Sequence, residues 1–187
     1  MIRLSSVLML VVAVLVTAPV SAEVPKALAL ADVYNPPRTV PPVTVVDGQR
    51  REIALESFKG KPVMINFWAT WCGPCVREMP SIDRLQAKLG TDKLQIVPIS
   101  LDRKGPAAVD PLFERKKIKH LTAVYDPSGQ AKQVFGMRAT PTTVILNAKG
   151  EMVMHFVGET EWDSPPIVAY FERLAAEGTK QQSAALK

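Results

Sequence analysis

Val63-Met64-Ile65-Asn66-Phe67-Trp68-Ala69-Thr70-Trp71-Cys72-Gly73-Pro74-Cys75 is the stretch that decides the fold. Val63–Trp68 is nearly all apolar, as a central strand buried on both faces must be. From Pro74 onward, Val76, Met79, Ile82, Leu85 and Leu89 recur at helical spacing, and Gly90 ends the run. The two cysteines therefore stand where a buried strand stops and a helix starts. Free backbone N–H groups and the helix dipole favour an anion at that point. A Cys72 thiolate is such an anion, and its pKa should fall below the free value of about 8.5. Cys75 lies one turn further in and is placed to resolve a mixed disulfide formed on Cys72. Gly73 permits a tight turn, and Pro74 suits the first helical turn, where a missing N–H costs nothing.

Working outward, Val43–Val46, the turn Asp47-Gly48 and Arg50–Ile53 read as a β-hairpin. Leu94–Leu101 predicts a second buried strand, 110–117 a helix, Leu121–Tyr125 a short strand and Gln130–Phe135 a short helix. Thr142–Leu146 and Glu151–Val157 flank the turn Asn147-Ala148-Lys149-Gly150 as an antiparallel hairpin, and Ile167–Glu177 predicts a last helix. The order is βαβ with a crossover, then a hairpin, then a helix. It implies an α/β fold with a central mixed sheet and helices on both faces.

The chain has 187 residues, which suits one domain with short extensions. Residues 1–22 read as a signal peptide: Arg3, an apolar run from Leu4 to Ala18, then Val20-Ser21-Ala22 before a cut at Glu23. An uncleaved N-terminal membrane anchor is the alternative, and both export the chain. Residues 23–42 carry five prolines and read as a Pro-rich, loosely ordered linker. The domain is expected over 43–178, with a flexible tail over 179–187. Apolar residues make up 47% and charged residues 22%, so a packed core is attainable and global disorder is excluded. The net charge of +5 is dispersed. The one dense basic run, Lys116-Lys117-Ile118-Lys119, lacks interleaved aromatics and reads as a solvated helix end, so no nucleic-acid partner is expected.

The chain has two cysteines. Their pairing closes too short a loop to brace the fold, which favours a disulfide that is made and broken. A zinc site needs four ligands, and His120 and His155 are isolated, so neither metal nor other cofactor is expected.

Asn66 to Cys75 resembles the active-site segment of the thioredoxin superfamily, and the likeness runs from about Val43 to Ala176. It is nearest the TlpA/ResA/CcmG-like branch of thiol:disulfide oxidoreductases. Gly60-Lys61-Pro62-Val63, Val76-Arg77-Glu78-Met79-Pro80 after Cys75, the long stretch between Leu101 and Ala139, and Gly158-Glu159-Thr160-Glu161-Trp162 point there, the last being especially TlpA-like. The long stretch implies the inserted strand and helix of the branch. The resemblance implies a redox-active Cys72–Cys75 disulfide. It also implies a cis-proline at Thr140-Pro141 that pairs with a bound polypeptide, and a surface tryptophan at Trp71. Asn66 stands where thioredoxin has a buried Asp, and Glu78, one helical turn from Cys75, is placed to take over proton handling.

The activity so implied is disulfide reduction in the periplasm, on disulfide-bearing protein substrates. The clients implied lie in cytochrome biogenesis, either c-type haem attachment or a copper centre. Electrons would come from a membrane thiol-transfer reductant of the DsbD/CcdA kind. An oxidant of the DsbA kind would show a His between its cysteines. An SCO-type copper chaperone would show CxxxC, and a peroxiredoxin-like antioxidant would show T-x-x-C, where this chain has Thr70-Trp71-Cys72.

Overall fold

Val63–Trp68 is a strand without an exposed residue, as its composition requires. In the computed structural model, which describes residues 23–185, it is the fourth strand in chain order. Before it come β1 (Asp32–Arg38), β2 (Thr44–Val46), β3 (Glu52–Ala54) and a 3-10 turn at Leu55–Phe58. After β4 (Val63–Trp68) come α1 (Gly73–Lys93), β5 (Gln95–Ser100), α2 (Pro106–Lys116), β6 (Val124–Tyr125), α3 (Gln130–Val134), β7 (Thr142–Leu146), β8 (Met152–Val157) and α4 (Pro165–Ala185). Among the described residues the strands form one eight-stranded mixed sheet in the order β1-β8-β7-β4-β5-β6-β2-β3.

The sheet grows outward from β4. β5 pairs with it in parallel from Val63↔Gln95 to Trp68↔Ser100. β7 pairs antiparallel from Val63↔Leu146 to Phe67↔Thr142. Strand alternation then splits the core in two. Met64 and Trp68 meet Met79, Ile82 and Leu85 of α1, Val109 and Leu112 of α2, and Phe171 of α4. Val63, Ile65 and Phe67 meet Val45, Leu55, Val97, Ala131 and Phe135 on the opposite face. Helices thus cover both faces, as the element order implies. Gly90, at φ 67°, breaks α1 where its periodicity ends, and a short helical turn follows to Lys93.

Three expectations differ from what is found. Residues 23–42 are not a loose tether: Asp32–Arg38 pairs antiparallel with β8, with an irregularity between Val33 and Arg38. Pro36 and Pro37 disguise this strand in the sequence, because proline cannot serve a central ladder but is tolerated at a sheet edge. Just before it, Leu28 is fully buried against the helical face. The tail is not frayed from Thr179, since α4 continues to Ala185 through Lys180-Gln181-Gln182-Ser183-Ala184, mostly good helix formers. The short strand spans only Val124–Tyr125. The signal segment, 1–22, lies outside the described residues, among which no helix is long and apolar enough to cross a membrane.

Leu28→Ala tests whether the segment before the expected domain belongs to the fold. Removing a fully buried leucine should cost about 3 kcal/mol in urea unfolding. A loss below about 1 kcal/mol would mark the segment as dispensable.

Candidate active site

Cys72 caps α1. Its backbone is extended (φ −91°, ψ 103°), and its Sγ accepts the Cys75 N–H at 3.3 Å. The two cysteines are bonded to each other with Cα atoms 5.3 Å apart. Cys72 keeps 6% of its surface exposed and Cys75 none. An attacking group from outside can therefore meet only Cys72. Reduction would leave its sulfur at the positive, N-terminal end of α1. Beside the pair, Trp71 is 68% exposed, a surface aromatic and not a core one.

The approach to the cysteines is pinned. The Thr70 N–H and hydroxyl both donate to Asp102, at 2.9 and 2.6 Å, and the Ser100 hydroxyl adds a third bond at 3.0 Å. The segment after β4 is thereby tied to the segment after β5. On the other side, the register Phe67↔Thr142 brings Thr140-Pro141 to the end of the sheet from which the cysteines emerge. The Thr140–Pro141 peptide bond is cis, and the Pro141 carbonyl accepts the Gly158 N–H at 3.0 Å.

Glu78 follows Cys75 by one turn of α1 and faces inward, 3% exposed. Asn66 Nδ2 donates to Oε1 at 3.0 Å. Trp162 Nε1 donates to Oε2 at 2.9 Å, with the Thr160 N–H at 3.4 Å. Burial pushes this carboxyl up to about 7, although the bonds from Trp162, Asn66 and Thr160 pull the other way; the charge of Glu159 pushes it up further. Asn66 gives a second N–H to Thr143 Oγ1 at 3.0 Å. An amide does not ionise in this range, so Glu78 is the group of this cluster that can take and release a proton.

Thr160 and Trp162 are absent from a reading of local spacing because they lie more than 80 positions from Glu78. They sit on a strap between β8 and α4 whose alternate residues are acidic. Glu159 pairs with Arg77 at 2.7 Å, Glu161 with Arg84, and Asp163 with Arg84 and Lys88 at 2.9 Å each. The Arg84 guanidinium holds the Asp163 carboxyl well below the usual carboxylate range. Each exposed pair is worth little alone. Together they hold the acidic positions on α1 while the Trp162 side chain is buried and the Thr160 backbone N–H faces Glu78. The Trp162 backbone N–H donates to Ser81 Oγ at 3.1 Å, and its ring meets Phe156 edge-on at 5.8 Å. The alternation Glu159-Thr160-Glu161-Trp162-Asp163, opposite basic residues on α1, was the one signal available in sequence.

His120 is engaged by Asp83, and His155 is half-buried on β8; no cluster of metal-ligating side chains occurs among the described residues.

A family profile described as Redoxin matches residues 37–170. The thiol-disulfide oxidoreductase ResA of Bacillus thuringiensis is 30% identical over 122 residues, 65% of this chain and 69% of its own. A thioredoxin-like protein of Haemophilus influenzae is 34% identical over 72% of this chain and 78% of its own. A secreted thiol-disulfide isomerase from Corynebacterium glutamicum shares the fold with a TM-score of 0.66 at 20% identity, over 78% of this chain and 92% of its own.

Two outcomes follow from the Glu78 environment. The folded carboxyl holds its proton up to about pH 7, whereas the unfolded one loses it near 4.5. Between those values the folded state binds more protons, so stability is full below 4.5 and falls as pH rises through 7. Relative to Glu78→Gln, the wild-type protein should lose about 3 kcal/mol across that window in urea unfolding. Parallel curves for the two proteins would contradict it. Trp162→Phe removes a donor that favours the carboxylate. Its Glu78 midpoint, followed by carboxyl carbon chemical shift, should rise by about one pH unit, and an unmoved midpoint would show that Trp162 only fills space.

Proposed function

The chain belongs to the Redoxin family as a thiol:disulfide oxidoreductase of the ResA/DsbE type, and from that premise we propose that it is an exported disulfide reductase. The observation that carries the reading is the asymmetry of the pair. Cys72 sits at a helix N-terminus with some surface open, and Cys75 is closed behind it, one turn from a buried carboxyl whose pKa burial pushes up to about 7.

In the reduced protein the Cys72 thiolate attacks one sulfur of a client disulfide. That S–S bond breaks, the second client sulfur leaves as a thiolate and takes a proton, and a mixed disulfide forms on Cys72. Glu78, as a carboxylate, draws the proton from Cys75. The Cys75 thiolate then attacks Cys72 Sγ, the mixed bond breaks, and the client leaves with both sulfurs reduced. The Cys72–Cys75 bond is the product of this step. The pair has lost the two electrons that the client gained.

We assign to client binding Trp71, next to the pair, and the Thr140–Pro141 loop at the same end of the sheet. The Thr140 backbone, at the mouth of β7, is placed to pair with an extended client segment. Residues 1–22 supply export to the periplasm, with cleavage before Glu23. A reductant in an oxidising compartment needs an electron source, and a membrane thiol-transfer protein of the DsbD/CcdA kind fits that need. The clients belong to cytochrome biogenesis. Between haem attachment and copper delivery, the likeness of Gly158–Trp162 to TlpA favours copper.

Cys75→Ser should accumulate mixed disulfides with clients in isolated envelopes, and Cys72→Ser should accumulate none; the reverse pattern contradicts the assignment. Glu78→Gln should shift the pH profile of the resolving step, slowing it at neutral pH by 10-fold or more, on the order of general-base catalysis. An unchanged profile removes Glu78 from the mechanism. N-terminal sequencing of envelope protein should begin at Glu23.

A further inference from the structure

Thr70, Trp71, Asp102, Arg103, Lys104 and Ala107 line one open concavity of about 660 Å³ beside the cysteines. A second concavity of about 510 Å³ shares Asp102, Arg103 and Lys104 and reaches Arg50 and Tyr125. Asp102 has its oxygens engaged internally by Thr70 and Ser100. Its bonds hold Thr70, the neighbour of Trp71, to the segment that carries Arg103 and Lys104, so indole and cations form one platform along the same concavity. Arg77, Arg84 and Lys88 of α1 are neutralised by the strap acids Glu159, Glu161 and Asp163. Arg103 and Lys104 are exposed, and neither has an ion-pair partner among the described residues. They are open positive charge next to the one exposed aromatic at the reactive pair.

We propose that this platform is the client-selecting surface, and that it takes disulfides set in acidic polypeptide segments. Trp71 covers apolar surface beside the client's cysteine, and Arg103 and Lys104 receive flanking Asp or Glu carboxylates. The sulfur exchange itself is the one already written, so the inference rests on the reductase reading and adds the choice of substrate. Charge complementarity of this kind acts on encounter and on the choice between partners more than on the bond chemistry.

The test uses the reduced full chain and three short peptides. Each carries one cysteine as a mixed disulfide with 2-mercaptoethanol, flanked by acidic, neutral or basic residues. Release of peptide thiol gives the rate, normalised for each protein to its own rate with hydroxyethyl disulfide. At low ionic strength the acidic peptide should react about fivefold faster than the basic one, the yield expected of two exposed charge pairs. High salt should close the gap. The double variant Arg103→Glu, Lys104→Glu should reverse the ranking. Equal rates for the three peptides, or an unreversed ranking in the variant, overturns the platform and leaves the reductase reading standing. Failure to reduce any peptide or hydroxyethyl disulfide removes the reductase reading, and the platform with it.

Discussion

A carboxyl group kept out of water is the constraint around which this site is built. Glu78 is held between β4, through Asn66, and the strap after β8, through Trp162 and Thr160. Ionising it at neutral pH works against burial, which pushes its pKa up to about 7. A solvated or apolar side chain there would spare the fold that cost. The three donors do not abolish the cost; they hold the group where its proton can leave and return within the physiological range. That is the property a proton acceptor for a buried thiol needs.

The strap explains how so much polar chemistry survives beside an apolar core. Its acidic residues lie along α1, and the Trp162 side chain and the Thr160 backbone N–H meet Glu78. Surface pairs that contribute little to stability still fix which side of the strap faces in. The same economy appears at Asp102, whose three bonds join the segment before Cys72 to the turn after β5. Both devices set geometry around the cysteines from residues that never touch sulfur.

Much of this was legible in the chain. Val63–Trp68 announces a strand buried on both faces, and the helical spacing after Pro74 places the cysteines at a strand-to-helix junction. Counting three from Cys75 along a helix finds Glu78, but not its depth, because i and i+3 share a face without saying whether that face is wet. Its depth depends on Trp162, which reaches it across 84 positions. Edge strand β1 was hidden for the opposite reason: its prolines argue locally against a strand, and only the tolerance of a sheet edge admits them. Trp71 could be read either way from composition, since an aromatic next to a buried strand is commonly core; its exposure is a property of the turn that follows Ala69.

The direction of electron flow is the claim on which the functional account stands, and the equilibrium of the Cys72–Cys75 pair measures it. Thioredoxin-type reductants lie at about −270 mV and the strong oxidant DsbA at about −120 mV. The Gly73-Pro74 dipeptide supplies no histidine to stabilise a reduced Cys72 thiolate. Equilibrating the protein with dithiothreitol mixtures of defined ratio at pH 7, and counting free thiols at each, gives the potential. The account predicts a value nearer the reductant end. A value near the oxidant end would mean that the protein introduces disulfides instead of removing them.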